Sequence, residues 1–211
     1  MVRAAALAAA LLVSAPSGAQ DSFGGRGSAP VQRPVTPAQQ PAQPAQPPAA
    51  PAEQQVSDPA EAWELQDFGV PPQQHLHTGA MHGPTPTQIP GGLVVTTKAL
   101  VGLLQNPGSQ ALLFDVLGSG ESLPNALQAA WLAQPGHFGD QVQQQFVQAL
   151  DAQLGGRKDT PLVFYCASTQ CWMSYNAALR AISAGYSEVL WYRGGLEAWK
   201  AAGLPTVPAG R

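Results

Sequence analysis

The chain has 211 residues and a formal net charge of −3, and only 11% of its residues are Asp, Glu, Lys or Arg. It contains no cluster of Lys and Arg, so it lacks the electrostatic attraction that drives binding to nucleic acids and to anionic membrane surfaces. Once the two N-terminal segments described next are set aside, about 150 residues remain, which is enough for one domain with a full core.

The N-terminus, MVRAAALAAALLVSAPSGAQ, predicts a signal peptide over residues 1–19. Arg3 provides the positive start, residues 4–13 form an apolar run that is too short to span a bilayer stably, and small residues precede a cleavage site after Ala19. A buried amphipathic helix is disfavoured because this run has no polar face. We therefore expect a periplasmic or secreted protein without a membrane span in its mature form.

Residues 20–60 are dominated by Pro, Gln and Ala and contain almost no large apolar side chain. Such a segment cannot bury enough surface to offset the entropy lost on ordering, and its prolines favour an extended conformation. We predict a disordered linker between the export signal and the folded part. A ligand for a proline-binding module is the alternative, but such modules are typical of the eukaryotic cytosol.

Residues 61–92 are rich in turn formers and show no helical or strand periodicity. We expect an ordered but irregular lead-in segment, anchored to the core by Trp63, Leu65 and Phe68. The same segment contains HLHTGAMH, in which imidazole and thioether groups lie close together: His75, His77, Met81 and His82. These groups would suit copper, although histidines in a solvated loop are the simpler interpretation, and no metal site is predicted.

From residue 93 onward, short apolar runs alternate with helix-like segments. Strands are predicted at 93–97, 111–117, 161–166 and 188–192, and helices at 98–104, 140–154, 172–183 and 196–203, with Thr97 as the cap of the first helix. Fully apolar strands between helices indicate a parallel sheet that is covered on both faces. Chemistry in such sheets collects at the carboxyl ends of the strands, where Asp115 and Cys166 stand.

Cys166 ends a predicted strand and is followed by a short loop and a helix. Backbone N–H groups in the loop and the first helical turn can surround the sulfur, and the helix dipole adds to their effect. We therefore expect a stabilised thiolate at Cys166, with further hydroxyl donors from Ser168 and Thr169.

The segments LLFDVL, LPNA, VFYCASTQC and GYSEVLWYRGGLEAWKAAGLP, in this order, resemble the rhodanese (sulfurtransferase) domain, from about Val94 to Pro205. The resemblance implies a three-layer α/β/α fold with a parallel central sheet over residues 93–211. It further implies that Cys166 carries a persulfide and moves sulfur from a small donor to a thiol acceptor without a cofactor. The substrate-binding residues that we carry over, by match or by proximity, are Asp115, Ala167, Ser168, Thr169, Gln170, Trp172 and Arg193.

Within the family, CWMSYNAALRA resembles proteins named for a C-x-x-C-W motif, which are associated with periplasmic catabolism that depends on pyrroloquinoline quinone. Here four residues, rather than two, separate the cysteines. The comparison adds a periplasmic protein partner, such as a dehydrogenase, to the expectations. It also opens an alternative function, that of a rhodanese-fold binding module without catalysis.

The cysteine loop departs from the typical family loop because it contains no cation. Ala167 and Cys171 stand where Arg or Lys usually bind an anionic donor, so efficient use of thiosulfate is not expected, and Arg193 is the cation that we expect near the mouth of the site. A related fold carries out phosphatase chemistry with a Cys-x5-Arg loop, in which the Arg binds the phosphate. Here Trp172 occupies the position of that Arg, so we do not expect phosphatase activity. Asn125 stands where the family often has Gly.

Cys171 leaves several alternatives open. In an oxidising compartment, the pair Cys166 and Cys171 can be a redox-active or resolving pair, an inert disulfide, or two unpaired thiols. So short a loop constrains the unfolded chain little, which argues against a purely stabilising bond. Two cysteines alone cannot complete a tetrahedral zinc site. We therefore assign both cysteines as catalytic candidates, with a thiol–disulfide redox protein as another alternative function.

Overall fold

The computed structural model describes residues 59–210. The predicted signal peptide, and all of the predicted linker except its last two residues, lie outside this range. Those two residues begin helix α1, Pro59–Glu64. Within the described range, no helix has both the length and the apolar character needed to cross a bilayer.

Five parallel strands form the central sheet. Their order is β1–β6–β5–β2–β4, and they are β1 Leu93–Val95, β2 Leu112–Asp115, β4 Leu127–Gln128, β5 Leu162–Tyr165 and β6 Val189–Tyr192. Strands β3 Glu121–Ser122 and β7 Val207–Pro208 form a separate antiparallel pair. The parallel sheet predicted from the apolar runs is confirmed, while β4 lies between two predicted elements, where no strand was predicted.

Helices cover both faces of the sheet. They are α2 Thr97–Gln105, α3 Gln141–Leu154, α4 Met173–Ser183 and α5 Gly195–Ala201, and a 3-10 helix spans Ala130–Ala133. Because side chains alternate along a strand, Phe164 packs with α3 and α4, whereas its neighbours Val163 and Tyr165 pack with α2 and α5. The three-layer α/β/α arrangement expected from the resemblance is confirmed.

The helix caps follow the expected chemistry with one shift of position. Thr96, rather than Thr97, caps α2 by accepting a hydrogen bond from the Ala99 N–H. Asp140 caps α3 by accepting from the Gln143 N–H at 2.8 Å. Thr97 has a different role, because its hydroxyl and N–H both donate to the Glu64 carboxylate.

The lead-in segment packs on the core only partly through the residues that we expected. Trp63 and Leu65 are 36% and 46% exposed, so they are not anchors. Leu76 and Ile89 are buried instead, and Phe68 lies under the Arg193 guanidinium, 5.3 Å from its ring centroid. An irregular segment has no periodicity to separate buried from exposed apolar residues, which explains the error.

Arg180 is fully buried on α4. Its Nη1 and Nη2 each donate to one carboxylate oxygen of Asp140 at 2.9 Å, and Nη2 also reaches the Gln134 carbonyl at 3.0 Å. This hydrogen bonding, more than any other effect, lowers the pKa of Asp140 from 3.8 to about 2. The ion pair joins α4 to the start of α3 on one face of the sheet.

Asn125 has a left-handed backbone with φ 62°. Asn tolerates this conformation better than other residues with a Cβ. The difference from the Gly that is frequent at this position in the family is therefore compatible with the turn.

Candidate active site

The cysteine loop stands at the carboxyl edge of the sheet, where three neighbouring strands end. Cys166 follows β5 directly, Asp115 is the last residue of β2, and Arg193 follows β6. This is the edge on which parallel α/β sheets collect ligands and chemistry.

Cys166 and Cys171 form a disulfide, and their Cα atoms are 6.4 Å apart. Both residues are closed to solvent, with exposed fractions of 1% and 0%. Of the alternatives left open by the sequence, two unpaired thiols is not the state observed. The bond joins the residue that follows β5 to the second residue before α4.

The Cys166 sulfur has two close polar neighbours. The Cys171 carbonyl oxygen lies 3.4 Å from it and the Ser174 Oγ lies 3.3 Å from it. Trp191 donates from its indole Nε1–H to the Ser174 Oγ at 3.0 Å. Because an indole N–H can only donate, Ser174 accepts from Trp191 and keeps its own proton available for the sulfur. Our sequence reasoning named Ser168 and Thr169 as hydroxyl donors and missed Ser174, although its place in the first turn of α4 was a usable signal.

We expect Ser174→Ala to raise the thiol pKa of Cys166 by about 0.5–1 unit, because the thiolate loses a hydrogen-bond donor. The measurement is the ultraviolet absorbance of the thiolate against pH, in the Cys171→Ser background, where Cys166 is the only thiol. Ser183→Ala, an exposed change at the end of the same helix, is the control. An identical titration midpoint in the Ser174→Ala and Ser183→Ala proteins would show that Ser174 does not donate to the sulfur.

The first turn of α5 holds the start of the cysteine loop. The N–H groups of Leu196 and Glu197 donate to the carbonyls of Cys166 and Ala167, both at 2.9 Å. Gly195, with φ 62°, lets the two backbones approach so closely. The backbone at Cys166 is therefore held by a helix that follows the neighbouring strand.

Part of the lead-in, residues 77–85, lies against the cysteine loop, and we call it the cover segment. Its backbone pairs with the loop around an antiparallel bridge between His82 and Cys171. The imidazole of His77 stacks on Trp172 with 4.1 Å between ring centroids. The bridge consists of two hydrogen bonds, from the Trp172 N–H to the Met81 carbonyl at 2.9 Å and from the Gly83 N–H to the Gln170 carbonyl at 2.8 Å, and Thr85 Oγ1 adds a third to the Thr169 carbonyl at 2.6 Å.

The sequence model of the rhodanese-like domain family matches residues 96–202. The chain belongs to the rhodanese-like family. The resemblance seen in its motifs is thereby confirmed at the level of the family. No protein with a curated description matches the chain.

Solved rhodanese-like structures resemble this chain at low sequence identity. A rhodanese-like domain from Anabaena is 23% identical, with a TM-score of 0.39, over 56% of this chain and 85% of its own. A single-domain sulfurtransferase from Saccharomyces cerevisiae is also 23% identical, with a TM-score of 0.39, over 53% and 91%. A second yeast protein, described as a homolog of single-domain rhodanese and the Cdc25 phosphatase catalytic domain, is 14% identical, with a TM-score of 0.40, over 53% and 81%.

Arg193 does not supply a cation at the mouth of this rhodanese-like site, contrary to our expectation. It is 1% exposed and donates to Thr85 Oγ1, to the Thr85 carbonyl and to the Glu64 carbonyl, at 3.0, 3.0 and 2.6 Å. Burial lowers the pKa of its guanidinium. Its side chain connects the end of β6 to the lead-in segment through neutral oxygens.

Asp115 uses its buried carboxylate to order the turn after β2 in this rhodanese-like domain. It accepts hydrogen bonds from the N–H groups of Leu117 and Gly118 and from the Ser122 hydroxyl, at 2.9, 3.4 and 2.7 Å. Ser122 also contacts the Tyr165 hydroxyl at 2.9 Å, and burial raises the pKa of Tyr165. Substrate binding by Asp115 stays a prediction, and the hydrogen bonds described here stabilise the turn.

The other loop residues differ in how far solvent reaches them. Gln170 is exposed and Ser168 is half-buried, whereas Thr169 and Trp172 are buried. Ala167 borders an open cavity of about 330 Å³ on the α5 side, lined also by Leu117, Leu196, Glu197 and Lys200. Lys200 pairs with Glu121 at 2.6 Å, so the cation at this opening comes from α5 and not from the loop.

Across residues 59–210, no group of three or more His, Cys, Asp or Glu side chains is placed to hold a metal ion. His77 has a structural position instead: it stacks on Trp172, and its backbone exchanges hydrogen bonds with the Asn176 side chain.

Proposed function

We propose that this rhodanese-like protein is an exported, periplasmic or secreted, sulfane-sulfur transferase in which Cys166 accepts sulfur and Cys171 resolves the product. The observation that carries this proposal is the Cys166–Cys171 bond within the active-site loop. A second cysteine within bonding distance of the sulfur carrier gives the persulfide an intramolecular resolving thiol. The predicted signal peptide supports a compartment in which disulfides persist.

The reaction has two balanced steps. In the first, the Cys166 thiol attacks the outer sulfur of a donor R–S–SH, the S–S bond of the donor breaks, and the products are the Cys166 persulfide and R–SH. In the second, the Cys171 thiol attacks the Cys166 sulfur of the persulfide, the S–S bond of the persulfide breaks, and the products are the Cys166–Cys171 disulfide and hydrogen sulfide. The sulfane sulfur is reduced by two electrons and the dithiol is oxidised by two.

The donor that fits this loop is a small persulfide or polysulfide and not thiosulfate. Thiosulfate is a dianion, and relatives with efficient thiosulfate use carry a loop cation, which Ala167 and Cys171 replace here. A thiol-bound persulfide carries less charge at its reacting end than thiosulfate does. Its binding is therefore weakened less by the absence of a cation in the loop. An external thiol acceptor that attacks the outer sulfur of the Cys166 persulfide is the transferase branch of the same chemistry.

Mass spectrometry of the reduced protein after exposure to glutathione persulfide tests the proposal. In the Cys171→Ser variant, Cys166 should gain one sulfur atom, because no resolving thiol is present. The wild type should instead lose two hydrogens and release hydrogen sulfide in equal amount. Cys166→Ser should do neither. A Cys171→Ser protein that gains no sulfur from persulfide, polysulfide or thiosulfate would refute sulfur transfer.

The disulfide itself favours a second candidate, a thiol–disulfide redox protein that exchanges electrons with partner thiols. Under that function, the wild type oxidises and reduces reversibly against a glutathione buffer, while Cys171→Ser takes up no sulfur. A non-catalytic binding module, for example for a periplasmic dehydrogenase, is the outcome if neither sulfur uptake nor reversible oxidation is found.

A further inference from the structure

Two peptide groups of the cysteine loop are held from one side by the cover segment. The Thr169 carbonyl accepts from Thr85 Oγ1 at 2.6 Å, and the Gln170 carbonyl accepts from the Gly83 N–H at 2.8 Å. In a trans peptide the C=O and the following N–H point in opposite directions. The N–H groups of Gln170 and Cys171 belong to these two peptides, so they point away from the cover segment.

The next peptide group, between Cys171 and Trp172, is turned the other way. Its N–H donates to the Met81 carbonyl at 2.9 Å, and its carbonyl oxygen lies 3.4 Å from the Cys166 Sγ. The side of the loop that faces away from the cover segment is therefore the side on which the Cys166 sulfur lies. Two peptide N–H groups point to that side and favour a sulfur anion, while the Cys171 carbonyl disfavours it.

A buried cation determines which way the Thr85 hydroxyl donates. Arg193 donates to the Thr85 Oγ1 and to the Thr85 carbonyl, both at 3.0 Å. Because a guanidinium can only donate, the Thr85 oxygen accepts from Arg193 and its own proton is left for the Thr169 carbonyl. Thr85, Thr169 and Arg193 are each no more than 1% exposed, so bulk water does not compete for these bonds.

We propose that Thr85 is a positioning residue of the Cys166 site, which acts with Arg193 through the Thr169 carbonyl. By holding this carbonyl, Thr85 keeps the Gln170 N–H on the sulfur side of the loop, where in the disulfide state it donates to the Ser168 Oγ at 3.3 Å. The loop has no cation of its own, so the direction of its peptide dipoles decides how well it stabilises a thiolate or persulfide. The inference rests on the proposed function only for the choice of Cys166 as the reacting sulfur.

Alkylation of Cys166 by iodoacetamide at varied pH tests this role in the reduced Cys171→Ser background. Thr85→Val keeps the shape of the side chain but removes the hydroxyl, so we expect alkylation at neutral pH to slow by about three- to tenfold and the midpoint of the pH profile to rise. Thr85→Ser, which keeps the hydroxyl, should restore the parent profile. His82→Ala changes an exposed side chain of the cover segment and should also leave the profile unchanged.

A folded Thr85→Val protein with the parent pH midpoint would overturn the proposal, as would equal slowing by Thr85→Ser. If Thr85→Val does not fold, amide hydrogen exchange of the wild type decides. Slow exchange at Gly83 and Trp172, which donate across the contact, supports the proposal, and exchange as fast as in exposed loops overturns it. Neither measurement uses a sulfur donor, so a Cys166 that alkylates as expected but never gains sulfur refutes the proposed function alone.

Discussion

Replacing Gly195 with alanine is expected to lower the free energy of unfolding by about 3–5 kcal/mol, through overpacking and a left-handed backbone together. A Cβ at this position would overlap the Cys166 carbonyl oxygen and lie 2.8 Å from the carbonyl carbon and oxygen of Ala167. These are backbone atoms, which cannot rotate away as a flexible side chain does. The hydrogen bonds from Leu196 and Glu197 hold them in place, so the substitution must displace the cysteine loop itself.

Gly203→Ala is the matched control for this prediction. Gly203 also has a left-handed backbone, with φ 69°, but a Cβ there would meet no atom within 4 Å. Its replacement should cost only the conformational term, about 1 kcal/mol. Urea unfolding of the two variants separates the cost of overpacking from the cost of the backbone conformation. Equal losses in the free energy of unfolding would mean that the cysteine loop moves to accommodate the added methyl group at no cost.

Replacing Asp140 with alanine is expected to lower the free energy of unfolding by about 4 kcal/mol, because it leaves the fully buried Arg180 guanidinium without its carboxylate. The Nε of Arg180 already has no hydrogen-bond partner among the described residues, so the loss of Asp140 adds to an unsatisfied donor on the same buried cation. The substitution also removes the side-chain cap of α3, which contributes about 1 kcal/mol of this loss. Urea denaturation at neutral pH measures the effect.

Asp140→Asn and the pH dependence of stability separate the charge from the cap. Asn keeps a cap acceptor, so about 2 kcal/mol of destabilisation is expected at neutral pH. The pKa of Asp140 is lowered to about 2 in the folded protein, so its ion pair stabilises the fold above pH 4 and this contribution disappears as the pH falls toward 2. The wild type should thus lose more stability than Asp140→Asn between pH 5 and pH 2; parallel curves would contradict the assigned ion pair.

The sheet was predictable from the chain because each buried strand is an uninterrupted apolar run. Leu162–Tyr165 and Val189–Tyr192 are buried on both faces, and a helix between them is the usual connection of two parallel strands. The position of Cys166 at the carboxyl edge followed from the same pattern. The edge strand Leu127–Gln128 was not predictable, because two exposed residues carry no periodicity.

The sequence could not indicate which residues that are distant along the chain contact each other in the fold. Arg180 reads as a solvated residue of a helix, and nothing local shows that Asp140, forty positions earlier, neutralises it. Thr85 and Thr169 are 84 positions apart and meet through a backbone carbonyl, which any residue possesses. Trp63 and Leu65 look like anchors by composition, yet it is the side chain of Glu64 that is buried between them.

The cover segment lies outside the part of the chain that matches the family model, although it contacts the cysteine loop inside that part. The family match begins at residue 96, so a fragment cut there would retain both cysteines and every strand of the sheet except β1. It would also lose Thr85, the Glu64 carbonyl and the Met81 carbonyl, and with them the acceptors of the Arg193 guanidinium and the Trp172 N–H. For this chain the part that matches the family model is therefore shorter than the part whose contacts complete the cysteine loop, and the latter begins well upstream of residue 96.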